Sequence, residues 1–282
     1  MGDETRPLAG LPPADRTLLV EPPLELAVVE VRFDSDAPDV ESRVAFALRE
    51  ALADVGQDYP RMERAQENRV EIQMNPDAAV EPQARVAQFA RGWRLHAADD
   101  SSTVTILPSA VVLQTRRYER WSVTLRPAVL AMLEIVQHHL APALVVRIGL
   151  RYVDRFVDDT ATASTWSGRI SPHLLGAVEH PVFGSHVQAA QQQIELGLGP
   201  AHGAILRHGP FSDPAVGGAI SYLVDIDVFD VESTSFDPES LTVRAEVLNR
   251  TAATLFQATL TRDYLRELQN VGIATTVEGG SA

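Results

Sequence analysis

Three arginines, Arg147, Arg151 and Arg155, recur at every fourth position within Leu144–Val157, a run that alternates as β-strands do. Positions i, i+4 and i+8 of a strand share one face at steps of ~13 Å. Such a stripe of guanidiniums can take an anionic ligand, or an acidic segment of a partner, through bidentate hydrogen bonds. The same spacing also suits arginines that each pair with a carboxylate on a neighbouring strand, for which Glu30, Asp225 and Asp227 are available. Asp225 and Asp227 stand at i and i+2 and share a face of a second strand, where they could work as acid and base, hold Mg²⁺ or answer arginine. Asp154 falls on the strand face opposite the stripe, with Val146, Ile148, Leu150, Tyr152 and Phe156. Arg147, Arg151, Asp154, Arg155, Asp225 and Asp227 are the binding candidates. None stands out as catalytic, and no cofactor or metal is expected.

Two missing residue types narrow the chemistry further. The chain has no cysteine, which excludes disulfides, thiolate nucleophiles and thiolate-ligated zinc or iron–sulfur centres. It has no lysine either, so all 24 basic residues are arginine. Schiff-base chemistry, pyridoxal phosphate attachment and the lysines of P-loops and kinases are excluded with it. Histidines 173, 180, 186, 202 and 208 gather in one stretch, but their spacing follows no helical metal motif. Gly197-Leu-Gly199 and Gly217-Gly218 read as turns, since neither lies between a strand and a helix.

Formal net charge is −14, a sign that repels a phosphate backbone. Nucleic-acid binding through a general basic face is therefore not expected, whereas a basic protein partner suits such a field. No apolar run approaches the roughly 20 residues of a membrane span. The N-terminal residues lack the basic and apolar regions of a signal peptide, so membrane binding is not expected and the cytoplasm is the expected location.

The elements that must position these residues follow from hydrophobic periodicity. Leu24–Phe33 predicts a strand, and Val40, Val44, Leu48 and Leu52 predict a helix capped at Asp36 or Asp39 and stopped at Gly56. A short strand is expected at Arg69–Met74, and a hairpin from Gly92–Ala97 and Thr103–Leu113. A helix over Arg120–Leu140 follows, with a bent approach before Pro127. After the arginine strand comes an irregular stretch, 160–186, holding one short helix near Ser171–Val178. Strands at Val187–Leu196, Gly203–Arg207 and Ala219–Phe229 lead to a last helix from Asp237, which runs on through Thr261 to Leu268. Antiparallel strands grouped between helices make this an α+β fold, possible as two similar sheet-plus-helix halves. The expected organisation is a flexible arm over 1–20, halves at 21–159 and 160–270 with the second packed on the first, and a flexible tail at 271–282.

Pro22-Pro-Leu-Glu25 with Val29-Glu-Val-Arg-Phe33, then Tyr118-Glu-Arg-Trp121, then Arg147-Ile-Gly-Leu-Arg-Tyr-Val-Asp154, and a closing Phe256…Thr261, occur in that order. Together they resemble a sporadically distributed family of bacterial proteins of similar length. Asp154 stands where that family usually has Asn, and Leu125 where an aromatic is common. The resemblance implies a single unit of conserved length and no assigned activity. Absent catalytic motifs and an acidic surface favour a non-catalytic binding or regulatory protein with a protein partner. An accessory component of a defence, toxin-neutralising or biosynthetic operon would suit the sporadic distribution. The alternative is an enzyme or small-ligand receptor with an Arg/Asp-lined pocket between sheet and helices. Nothing in the residues sets the oligomeric state.

Overall fold

Leu24–Phe33 forms strand β1, with Ala27, Val29, Val31 and Phe33 buried and the intervening residues facing outward. In the computed structural model, residues 6–35, 37–73 and 83–270 are described, of which 66–73, 83–90 and 270 by backbone alone. Asp36, Asn75-Pro76 and residues 271–282 lie outside the described residues. Helix α1 (Ser42–Asp54) buries Val44, Leu48 and Leu52 as their spacing predicts. Its N-cap is Glu41 rather than Asp39, whose carboxylate instead accepts from the Val40 amide and from Arg64.

Strand β2 (Arg61–Gln73) begins well before the expected Arg69, and β3 (Gln83–His96) pairs with it antiparallel. The expected single arm Thr103–Leu113 is two strands, β4 (Ser102–Leu107) and β5 (Ala110–Thr115), joined through Pro108-Ser109. Apolar alternation runs through that two-residue turn without a break, so only the proline marks it. Before Pro127 the backbone makes a π-helical turn, Trp121–Leu125, in which the Arg126 amide donates five residues back to Trp121. Proline cannot donate, and the wider turn ends where α2 (Arg126–Leu140) begins. Ala141 closes α2 in the left-handed region, and Pro142 follows.

Strand β6 (Leu144–Phe156) carries the arginine stripe. The irregular stretch holds a four-residue helix, α3 (Pro172–Leu175), among short 3₁₀ turns. Strands β7 (Gln192–Gly197), β8 (His202–Ser212) and β9 (Ile220–Asp230) follow, then the two-residue β10 (Thr234–Ser235). The last helix is two, α4 (Pro238–Thr259) and α5 (Arg262–Asn270), separated at Leu260-Thr261. Asp237 caps α4 by accepting from the Ser240 amide.

The fold is α+β, and the chain forms two compact units that are each discontinuous in sequence. One unit comprises Val28–Gly149 and Val231–Ala245. Its strands run in the order β2-β3-β4-β5-β1-β6, with β10 beside β6, and α1 packs against α2. The other comprises Leu150–Asp230 with the described parts of Met1–Ala27 and Glu246–Ala282, and its strands run β1-β6-β9-β8-β7. This division differs from consecutive halves at 21–159 and 160–270, because β1, β6 and α4 each contribute to both units.

Residues 6–20, expected as a loose arm, are tied to the last two helices. Gln257 gives its amide to the Asp15 carbonyl and accepts from the Asp15 amide, both at 2.8 Å. Thr254 donates to Pro12, and the Val20 amide donates to Leu268. The reach of Thr254 and Gln257 on α4 for one backbone is not visible in an apolar-periodicity reading.

Gly209 on β8 has φ +152°, and a Cβ there would stand 1.8 Å from the Ala190 carbonyl oxygen. Both the conformation and the neighbour exclude a side chain. Gly209→Ala should cost about 2 kcal/mol or more in urea unfolding, against a few tenths for Gly168→Ala, where a Cβ would meet nothing within 4 Å, the two compared at one pH.

Candidate functional site

The candidate residues lie on β6 and β9. On β6 the alternation has a phase change: Val145 is buried and Val146 exposed, yet from Ile148 onward the even positions are buried. Simple alternation puts Val146 on the Ile148 face, but Val146 is exposed where Ile148 is buried. Arg147 follows the change and lies over Gly149, where a Cβ would stand 2.3 Å from its Nη1. Its guanidinium donates to Glu30 at 2.5 Å, and Glu30 also accepts from Arg32.

The centre of the second unit's sheet is a row of charge. Arg151 donates from Nε and Nη2 to the two oxygens of Asp225, at 2.7 and 2.8 Å. Arg207 on β8, directly opposite Asp225 in register, reaches the same carboxylate at 3.4 Å and donates from Nε to Gln193 on β7. Asp225 is only 5% exposed, while Arg151 is 45% and Arg207 29% exposed. A buried carboxylate thus holds two half-open guanidiniums in place. Asp225 raises the Arg151 pKa further by accepting its hydrogen bonds, and the charge of Asp227 adds to this. Four residues along, Arg155 donates to Glu25 and to Asp213, and its backbone amide donates to Pro23. Asp213 also caps the turn at Pro214 by accepting from Ala215.

All three arginines of the stripe are thus paired with carboxylates. Glu30 and Asp225 were available on spacing grounds, whereas Glu25, Asp213, Arg207 and Gln193 were not found by it. Registers between distant strands set these partners, and nothing in the local pattern encodes them.

Asp154 sits apart from the row on the buried face of β6, as alternation predicts. Burial, with the nearby charge of Asp225, pushes its carboxyl up to about 8. At neutral pH it is mostly a protonated, uncharged acid. The histidines serve three different partners. His180 stacks on Phe183 with ring centroids 3.8 Å apart, His202 lies 3.5 Å from Asp230, and His208 is buried with Nδ1 2.9 Å from the Tyr222 hydroxyl. Burial lowers the His208 pKa, so it is held neutral.

Next to the charged row is a concavity of about 310 Å³ lined by residues that include Ala190, Gly209, Phe211 and Leu223. Gly209 and Leu223 are register partners, two residues along from Arg207 and Asp225. Its walls are mainly apolar, and its charged neighbour is a cation already half-committed to a carboxylate. Chemically, the arrangement can hold an anion: Arg151 gives two of its five N–H donors to Asp225 and keeps the rest. Among the described residues, no helix is long and apolar enough to cross a membrane. No protein-family model matches the chain, and no curated protein matches it.

Because the folded chain holds the Asp154 proton more tightly than an unfolded Asp near 3.8, its contribution is greatest at acidic pH. Stability should decline between roughly pH 4 and the folded value. Asp154→Asn should flatten this decline and stabilise the protein by about 2–4 kcal/mol at pH 8, with little gain at pH 4. Urea unfolding across that range measures it; an unchanged slope in the variant would exclude Asp154 as the source.

Proposed function

We propose that this chain is a non-catalytic binding or regulatory protein that acts in the cytoplasm through a protein partner. The observation that carries the reading is the Arg151–Asp225–Arg207 row. Two half-exposed guanidiniums are fixed by one buried carboxylate on adjacent strands. Groups locked on strands present donors at constant spacing, which favours recognition. A catalytic acid or base, by contrast, must be left able to exchange its proton with substrate.

The partner that fits carries a net positive charge, drawn by the field of −14, and sets a carboxylate against Arg151 and Arg207. An accessory role in a defence, toxin-neutralising or biosynthetic operon is consistent with a dedicated partner of this kind. The resemblance to a sporadically distributed bacterial family supports the same setting. A second reading, a receptor for a small anionic molecule, draws on the apolar concavity beside the row. Thermal-shift measurements with anionic metabolites address that reading directly.

Affinity capture from the native host should recover a specific partner with the wild-type chain. Arg151→Glu, shown to be folded by circular dichroism, should weaken that capture at least tenfold. Equal recovery by both chains, or no specific partner, would sink the proposal.

A further inference from the structure

Strand β7 ends the strand order of its unit and, among the described residues, pairs only with β8. Which of its backbone groups are spoken for can be worked out from the flanking residues. The Ala190 amide donates to Pro210 and the Leu198 amide to His202, in the same register as the ladder between them. In an antiparallel ladder alternate residues turn both backbone groups to the same neighbour. Gln192, Ile194 and Leu196 therefore face β8, and Gln191, Gln193, Glu195 and Gly197 present their N–H and C=O groups outward. Those four are also the exposed residues of the segment.

Sheet edges of this kind are usually guarded by proline, by charged side chains, by a bulge or by a covering element. β7 has no proline, no arginine and an uninterrupted register with β8 over six residue pairs. Its single charge is Glu195.

From this edge we infer a second interaction surface, on the strand next to Arg207: β7 pairs antiparallel with β7 of a second copy of this chain. A two-fold axis normal to the sheet keeps the faces matched and allows only registers in which residues of the same parity meet. Centring on Glu195 would set two carboxylates against each other. Centring on Ile194 places Gln193 opposite Glu195 of the other copy and Ile194 opposite its own counterpart. The outward residues then face each other as hydrogen-bonded pairs, Gln191 with Gly197 and Gln193 with Glu195, each twice by symmetry. This register satisfies the edge backbone, joins half-buried Ile194 to Ile194 and avoids any like-charge pair.

The dimer has a small contact and two copies of charge −14 to bring together, so it is weak and strengthens with salt. Sedimentation velocity of the full chain should show a monomer–dimer equilibrium with a Kd on the order of 10–100 μM, tighter at higher ionic strength. Hydrogen exchange should show the Gln193 and Glu195 amides slowing as concentration rises, while the Ile194 amide, already given to β8, does not change. Glu195→Pro removes an outward N–H and spares the β8 ladder, and should weaken dimerisation about tenfold or more. Gln193→Glu keeps an acceptor for Arg207 but opposes Glu195 across the axis, and should weaken it about threefold or more. A single monomeric species throughout, or a dimer indifferent to both substitutions, overturns the inference.

Discussion

A carboxylate with 5% exposure in the middle of a sheet must be answered by a cation, and the answer here is two arginines from two strands. Desolvating Asp225 alone would cost several kcal/mol. The bidentate bonds from Arg151 and the longer approach of Arg207 offset that cost only when β6, β9 and β8 stand in one register. The ion-pair row therefore depends on correct strand pairing and also helps to specify it: a slip of one residue would turn Asp225 to the other face and leave it uncompensated. Arginine suits the task better than lysine would, since its planar fork spans both carboxylate oxygens and keeps further donors for another anion. A chain whose basic residues are all arginine can build such a row at every basic position.

Much of the architecture was legible because it follows from short-range periodicity. The limits of β1, the stripe of α1, the start of α4 and the close of α2 before Pro142 all rest on apolar spacing or on a cap. What escaped was set by other things. The Pro108-Ser109 turn interrupts no pattern. The change of buried face between Val145 and Ile148 has one local trace, Gly149, the residue that leaves room for the Arg147 side chain. The ties between α4 and residues 6–20 come from Thr254 and Gln257, polar residues that a hydrophobic reading passes over.

The candidate site divides in the same way. That Arg147, Arg151 and Arg155 share a face, with Asp154 opposite, is a consequence of strand geometry. That Asp225 rather than Asp227 takes Arg151, and that Asp213 from a loop takes Arg155, depends on long-range register. Asp154 adds a constraint of its own: burial keeps its carboxyl protonated, so the buried face of β6 carries a neutral group there.

Whether the row is a fixed feature or an ordinary surface ion pair decides the account, because only a fixed row presents donors to a partner at constant spacing. A double-mutant cycle on Arg151→Ala and Asp225→Asn, read by urea unfolding at low and high salt, separates the two. The account predicts a coupling of about 1.5–3 kcal/mol that persists at high salt. A coupling within about 0.5 kcal/mol of zero, or one abolished by salt, is the behaviour of a solvated surface pair and would contradict it.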